Sequence, residues 1–298
     1  PVPNGETSET TASKTGYITG VAVDIGNASA AGPQRSQDMS AGMAGELQFT
    51  VFVSALEDEL GNPLTGAAVT SGAGGAVACV EPAVPDGSYY CAVPDLETSD
   101  ATASIAGYVT GTSTGLGNAA AAGPQLDHDM SDGSGGELLF TVKVTALENE
   151  VGDTLTGATV TSGAGGAIVC VEDGVPDGSY YCPVPDGETS AITAALTGHV
   201  TGTAASAGAA DESGIQVEQD LSDGSGDELL LTLKVTLEDE LGNPLTGATV
   251  TSGAGGAVAC VEDIVPDGSY YCAVPDGETT AAEGSLGGYV TMTAPTLG

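Results

Sequence analysis

Tryptophan is absent from this chain, and tyrosine and phenylalanine together supply only 12 of its 298 residues (9 Tyr, 3 Phe). Its cores must therefore be built from Val, Leu, Ile and Ala, with the tyrosines as anchors. Positive charge is nearly missing too. Lys14, Arg35, Lys143 and Lys234 stand alone against 41 acidic residues, a formal net charge of −37. Such a chain repels nucleic acid and anionic membrane surfaces, which excludes both as partners. No apolar run reaches the roughly 18 residues needed to span a bilayer, so no membrane insertion is expected. There is no start Met and no signal peptide, and a chain opening at Pro1 reads as a processed or trimmed product. G-x-S-x-G, phosphate-loop and H-E-x-x-H motifs are missing, and no unpaired cysteine remains as a nucleophile, so no enzyme is expected.

What is present is repetition. The motif P-D-G-S-Y-Y-C ends at Cys91, Cys182 and Cys272, and Cys79, Cys170 and Cys260 keep the same spacing. A period of that length indicates a string of domains rather than a solenoid of shorter units. The sequence divides into a partial tail or exchanged strand at 1–20 and repeats at 21–111, 112–202 and 203–298.

Each repeat opens with a polar, Gly/Ala-rich stretch, such as Gly111 to Gly136. A strand follows in which Phe140, Val142 and Val144 are expected on one face and Thr141, Lys143 and Thr145 on the other. Gly-Asn-Pro then forces a turn within E-D-E-L-G-N-P-L-T-G (57–66 and 238–247), and A-T-V-T-S-G reads as a second strand. Cys79 and Cys91 lie symmetrically about Pro85. Antiparallel pairing across that turn sets them opposite one another, within reach of a disulfide. The same holds for Cys170 with Cys182 and Cys260 with Cys272. Two cysteines without nearby His make a poor zinc site. Six locally paired cysteines point to an oxidising compartment, with a hyperthermophile cytosol as the alternative. Short strands, frequent turn signals and no helical periodicity indicate all-β modules, three tandem β-sandwiches each pinned by one hairpin disulfide.

Glu238-Asp-Glu-Leu-Gly-Asn-Pro-Leu-Thr-Gly-Ala-Thr-Val, Asp267-Gly-Ser-Tyr-Tyr, Val274-Pro-Asp-Gly-Glu-Thr and Gly288-Tyr-Val-Thr together carry a family resemblance. The repeat resembles the carboxypeptidase regulatory-like (transthyretin-like) sandwich, related in style to the Cna-B modules of bacterial surface proteins. That resemblance implies an Ig-like, seven-stranded, non-catalytic domain of stalks, adhesins and fibres. Two features depart from it, the cysteine pair and the Gly/Ala-rich stretch between modules. That stretch is either linker or an extra strand.

The ends are out of phase. Pro1-Val-Pro-Asn-Gly-Glu-Thr-Ser followed by Gly16-Tyr-Ile-Thr-Gly matches Pro183-Val-Pro-Asp-Gly-Glu-Thr-Ser followed by Gly198-His-Val-Thr-Gly. The opening residues thus repeat the last strands of a module. Three readings stand open: a polypeptide that extends further, a strand that completes a neighbouring subunit, and a disordered tail.

Histidine recurs nowhere. His128 aligns with Gln37 and Gln219, and His199 with Tyr17, Tyr108 and Tyr289, so both read as packing variants. Calcium is the cofactor to expect, because Asp132, Ser134 and Glu137, then Asp223, Ser225, Asp227 and Glu228, put oxygens on glycine loops. The first repeat lacks the leading Asp. A second acidic cluster recurs at the turn, in Glu57-Asp-Glu59, Glu148, Glu150 and Glu238-Asp-Glu240. Bare solvation accounts for either cluster equally well. Asn27-Ala-Ser29 is a glycosylation sequon. The expected function is a structural subunit of an extracellular or cell-surface filament. Its partners are other copies of itself, joined head to tail by strand exchange or Ca²⁺. The alternative is the stalk or multivalent binding region of an adhesin or S-layer protein.

Overall fold

The computed structural model describes residues 1–296; Leu297 and Gly298, the last two residues of the third repeat, lie outside it. Among the described residues every regular element is a strand, apart from three short 3-10 turns at Ala73–Gly75, Ala164–Gly166 and Ala254–Gly256. No helix is long and apolar enough to cross a membrane. The chain divides into two compact units, Pro1–Leu139 and Phe140–Gly298.

In the first unit, one sheet runs Leu126–Met130, Val51–Leu56, Tyr89–Cys91, and the other runs Gly111–Ser113, Ala101–Ser104, Ala68–Ser71, Val77–Ala78. Side chains alternate across a strand, so each sheet gathers its apolar residues on one face. Val53, Leu56 and Tyr89 from the first sheet meet Val69, Ala101 and Ala103 from the second in one buried cluster. Tyr89 anchors it. Its hydroxyl donates to Leu64 O at 3.2 Å and accepts from Ala67 N–H at 3.1 Å, so a buried ring keeps its polar end satisfied.

The second unit holds two further sandwiches. The earlier one has two four-stranded sheets: Val171–Glu172, Tyr180–Cys182, Val142–Leu147, Val217–Leu221, and Ile168–Val169, Thr159–Ser162, Ile192–Ala195, Gly202–Ala204. Seven strands were expected and eight form. The additional one, Val217–Leu221, comes from the Gly/Ala-rich stretch, as Leu126–Met130 does in the first unit. Each adds parallel to its partner, Val217–Leu221 on Val142–Leu147 and Leu126–Met130 on Val51–Leu56, with a bulge midway. The folded module is therefore offset from the sequence period, since each of the first two sandwiches is closed by residues of the following repeat.

The last sandwich pairs Leu233–Thr236, Ser269–Cys272 and Val261–Glu262 in one sheet. The other contains Val258–Ala259, Thr249–Ser252, Glu283–Ser285 and Met292–Thr293. Among the described residues nothing adds to the free edge of Leu233–Thr236.

The opening segment is folded rather than disordered. Thr10–Ala12 and Gly20–Ala22 form an antiparallel hairpin, and Tyr17–Ile18 pairs with Gln48–Phe49 at the entry to the first sandwich. One expected orientation fails. Thr141 is wholly buried, not outward, and its hydroxyl donates to Val184 O at 2.7 Å and Cys182 O at 3.2 Å. The strand breaks there, between Leu139–Phe140 and Val142–Leu147, and the threonine fills the gap by satisfying carbonyls of the adjacent strand.

Candidate functional site

All six cysteines pair: Cys79–Cys91, Cys170–Cys182 and Cys260–Cys272, with Cα separations of 4.3, 4.2 and 4.2 Å. None is free. Three disulfides accord with an oxidising environment. Their role goes beyond closing a hairpin, because the chain changes sheets at the first cysteine of each pair. Cys79 N–H donates to Val69 O in one sheet, while Val80 and Tyr90 exchange backbone hydrogen bonds in the other. Cys91 is paired to Val51 in that second sheet. The bond thus ties the two layers where the chain crosses between them.

The most developed recurring arrangement is the seat of the added parallel strand. Leu126–Met130 alternates half-buried, exposed and buried residues, with His128 and Met130 inside and Asp127 and Asp129 outside. Met130 and, after the glycine loop, Leu138 are wholly buried in the first core. Leu221 and Leu229 do the same in the second. The backbone clasps the partner strand from both sides. Glu57 N–H donates to Met130 O and its carbonyl accepts from Leu138 N–H, both at 3.0 Å; Glu148 is held in the same way by Leu221 and Leu229. A buried polar knot fixes the strand to the opposite sheet. His128 Nδ1 and Nε2 reach the Ser113 and Ser99 hydroxyls at 2.8 and 3.2 Å. Gln219 donates to Ser190 O at 2.9 Å and Ala205 O at 3.1 Å. Burial lowers the His128 imidazole below its ordinary range, with Asp100 and Asp127 pulling weakly the other way. Of this seat the sequence offered only the open alternative of linker or extra strand, although L-D-H-D-M and V-E-Q-D-L alternate with the period of a strand.

The glycine loops expected to hold calcium are the return of this clasp. Asp132 is exposed and gives its N–H to Glu57 Oε2 at 3.3 Å, while Ser134 Oγ accepts from Gly136 N–H at 3.1 Å. Asp223 repeats the first contact, to Glu148 at 3.1 Å, and Ser225 accepts from Asp227 N–H at 3.1 Å. The two acidic clusters, separate in sequence, thus meet at each loop. Glu137 and Glu228 each keep one carboxylate oxygen buried without a hydrogen-bond partner. The middle acid of the turn cluster serves its own backbone. Asp58 Oδ1 accepts from Leu60 and Asn62 N–H at 2.9 Å, and Asn149 takes the same role. Glu150 is half-buried, and that burial raises its carboxyl; Lys234 draws it back while Glu228 and Asp263 add to the rise. Among the described residues, no group of three acidic, His or Cys side chains is assembled as a metal centre.

Lys143 and Lys234 lie over the rings of Tyr181 and Tyr271 at 4.9 and 5.0 Å, and in the first sandwich Phe52 stacks on Tyr90 instead. The second tyrosine of each pair is thus covered by its own module. Asn27 is exposed, in the loop after the N-terminal hairpin. His199 is partly buried and its ring nitrogens have no partner; burial lowers its imidazole. Compared with protein-family models, with curated proteins and with solved structures, the chain matches none.

Proposed function

We propose that this chain is a structural, non-catalytic subunit of an extracellular filament, joined head to tail to other copies of itself. The observation that carries this reading is the interlock. Each of the first two sandwiches takes a strand and two core leucine or methionine residues from the sequence repeat that follows it. A stretch whose composition reads as linker is thus part of a folded sheet. That suits a shaft that must keep its shape. Disulfides at the sheet crossings add covalent ties, and four cations leave few sites for trypsin-like proteases.

A net charge of −37 opposes contact between copies, so cations screen or bridge them. The acidic loops at Asp132 and Asp223 are where Ca²⁺ would act. Electron microscopy of the purified chain, with Ca²⁺ and with EDTA, tests the reading. Regular fibres are expected, thinner or shorter after chelation. Dispersed monomers in both conditions would sink it in favour of a stalk or multivalent binding region of an adhesin or S-layer protein.

A further inference from the structure

Within the second unit, one sandwich grips the next by the tip of a hairpin. Ile192–Ala195 and Gly202–Ala204 pair antiparallel, and residues 196–201 form the tip between them. There His199–Val200 pairs antiparallel with Leu230–Leu231, His199 opposite Leu231. The tip also lies against the third sandwich beside its disulfide. A Cβ on Gly198 would stand 2.7 Å from Ala273 O, so only glycine allows the contact.

The link between the two cores is short here. Leu229 is wholly buried in the second core and Leu233 belongs to the third. Of the three residues between them, Thr232 is bound to the third sandwich through Cys272 O and Val274 O. Bending at this link is therefore confined to Leu230 and Leu231, the residues paired with the tip.

Tyrosine fills the position of His199 in the other copies, as Tyr17, Tyr108 and Tyr289. Tyr17 lies against Phe49 with ring centroids 5.1 Å apart, whereas Leu231 stands at the phenylalanine's position here. Both ring nitrogens of His199 are buried, and neither has a hydrogen-bond partner among the described residues. A neutral imidazole in such a place leaves its N–H unsatisfied; a protonated one adds an unpaired charge, which costs more. The charged groups at the joint lie around Glu150, which accepts from the Leu231 amide and faces Lys234, Glu228 and Asp263. The His199 imidazole is lowered by burial, opposed only by the backbone of Thr197.

We propose that residues 196–201 are an acid-released catch: protonation of His199 frees the tip from Leu230–Leu231 and Ala273, and the third sandwich turns about those leucines with both sandwiches intact. The charged ring has neither water nor a partner in its seat, and release supplies water. The open joint binds the proton better than the closed one. The closed-to-open ratio therefore falls by up to about tenfold for each pH unit below 6.5, until the lowered value is passed. This goes beyond the filament reading and needs only a single chain. It makes a shaft that is stiff near neutrality and bends in acid.

Hydrogen exchange of the full chain from pH 7 to 5, corrected for the intrinsic pH dependence of exchange, tests the catch. Residues 196–201 and Leu230–Leu231 are expected to lose protection by up to about tenfold per pH unit below 6.5. Tyr180–Cys182 and Ser269–Cys272, inside the two sandwiches, are expected to keep theirs. His199→Tyr, with the side chain of the other copies, is expected to hold the tip closed throughout. Glu150 is present in both proteins, so its own titration cancels in the comparison. Unchanged protection in the wild type, or equal loss in both proteins, would overturn the proposal. So would loss across both sandwiches together, which is unfolding rather than release. Nuclear magnetic resonance titration of the wild-type imidazoles, assigned with His128→Gln, adds a check that needs no change at His199. A His199 midpoint below 6.5 is expected, and one at or above it would overturn the catch.

Discussion

Leu138 N–H donates to Glu57 O at 3.0 Å, closing around a strand of the preceding repeat a loop that begins at Met130. The leucine side chain is wholly buried in the same core. Truncating it leaves a cavity in a sandwich that cannot collapse easily. Leu138→Ala is expected to destabilise the first sandwich by about 2–5 kcal/mol, the range for buried leucine. Leu47→Ala, at the same repeat position but without a seat, should shift monomer stability by no more than about 0.5 kcal/mol. Urea unfolding at low protein concentration compares the two. Equal losses would show that Leu47 is already in a core.

The disulfides lend themselves to a separate test. Cys79 and Cys91 close a short loop, and in the chain-entropy picture removing such a link costs roughly 2–4 kcal/mol. Replacing both by alanine is expected to lower the melting transition of the first sandwich alone, since Cys170–Cys182 and Cys260–Cys272 are untouched and distant sites behave additively. Calorimetry resolves the point. A uniform drop across all transitions would mean that the sandwiches unfold as one block.

These two sites differ in how much of them the sequence revealed. The cysteine pairing was legible because its cause is local, a turn flanked symmetrically by residues of one strand pair. The sheet crossing at Cys79 was not, since which sheet a residue joins depends on partners such as Val69 that lie outside the hairpin. The parallel strand stayed one of two alternatives, linker or extra strand, for a related reason. Its glycines and alanines dominate the composition of the stretch, while its signal is five alternating residues whose partner strand lies in the preceding repeat. Thr141 shows the limit of alternation itself, which holds within a strand and fails at a break between two. The calcium loops were read as ligand sets from their oxygens, and two of those, the Ser134 and Ser225 hydroxyls, accept from backbone amides of their own loops.

His128 makes the first sandwich sensitive to mild acid. Burial holds its imidazole below 6.5, the value of an ordinary histidine. Below about pH 6.5 the unfolded chain takes up a proton that the folded chain refuses, so the unfolded state binds more protons there. Stability from this group is therefore present above that pH and lost as the pH falls through the depressed folded value. His128→Gln, with the residue found at positions 37 and 219, is expected to fold and to remove that loss. His199, also lowered by burial, leaves its own share in the second unit, which His199→Tyr removes. Asp86, Asp177 and Asp267 act in a separate window. Hydrogen bonds from Ser88, Ser179 and Ser269 hold their carboxyls below 3.8, so their contribution fades only as the pH drops past that. Melting temperature against pH for the wild type and His128→Gln checks the assignment. Parallel curves between pH 7 and 5 would refute it.

Among the described residues, Leu96 is the one residue other than glycine with a positive φ, at 68°. Gly5, Gly187 and Gly277 hold the same place in the other copies, with φ of 86°, 77° and 80°. The turn needs a left-handed residue there, because its amide must reach across: Leu96 N–H donates to Ala119 O at 2.9 Å, as Gly187 N–H does to Ala210 O at 2.8 Å. A side chain with a Cβ meets its own carbonyl in that conformation, at a cost of about 1–2 kcal/mol. Leu96 is 75% exposed, so little packing repays it. Glycine removes the strain but gives back about 0.5–1 kcal/mol through the freer unfolded chain. Leu96→Gly should therefore stabilise the first sandwich by a net of about 0.5 kcal/mol, and Leu96→Ala, which keeps the Cβ, by nothing. Thermal unfolding of the three proteins decides it: a glycine variant that melts below the wild type would place Leu96 in a contact that relieves the strain.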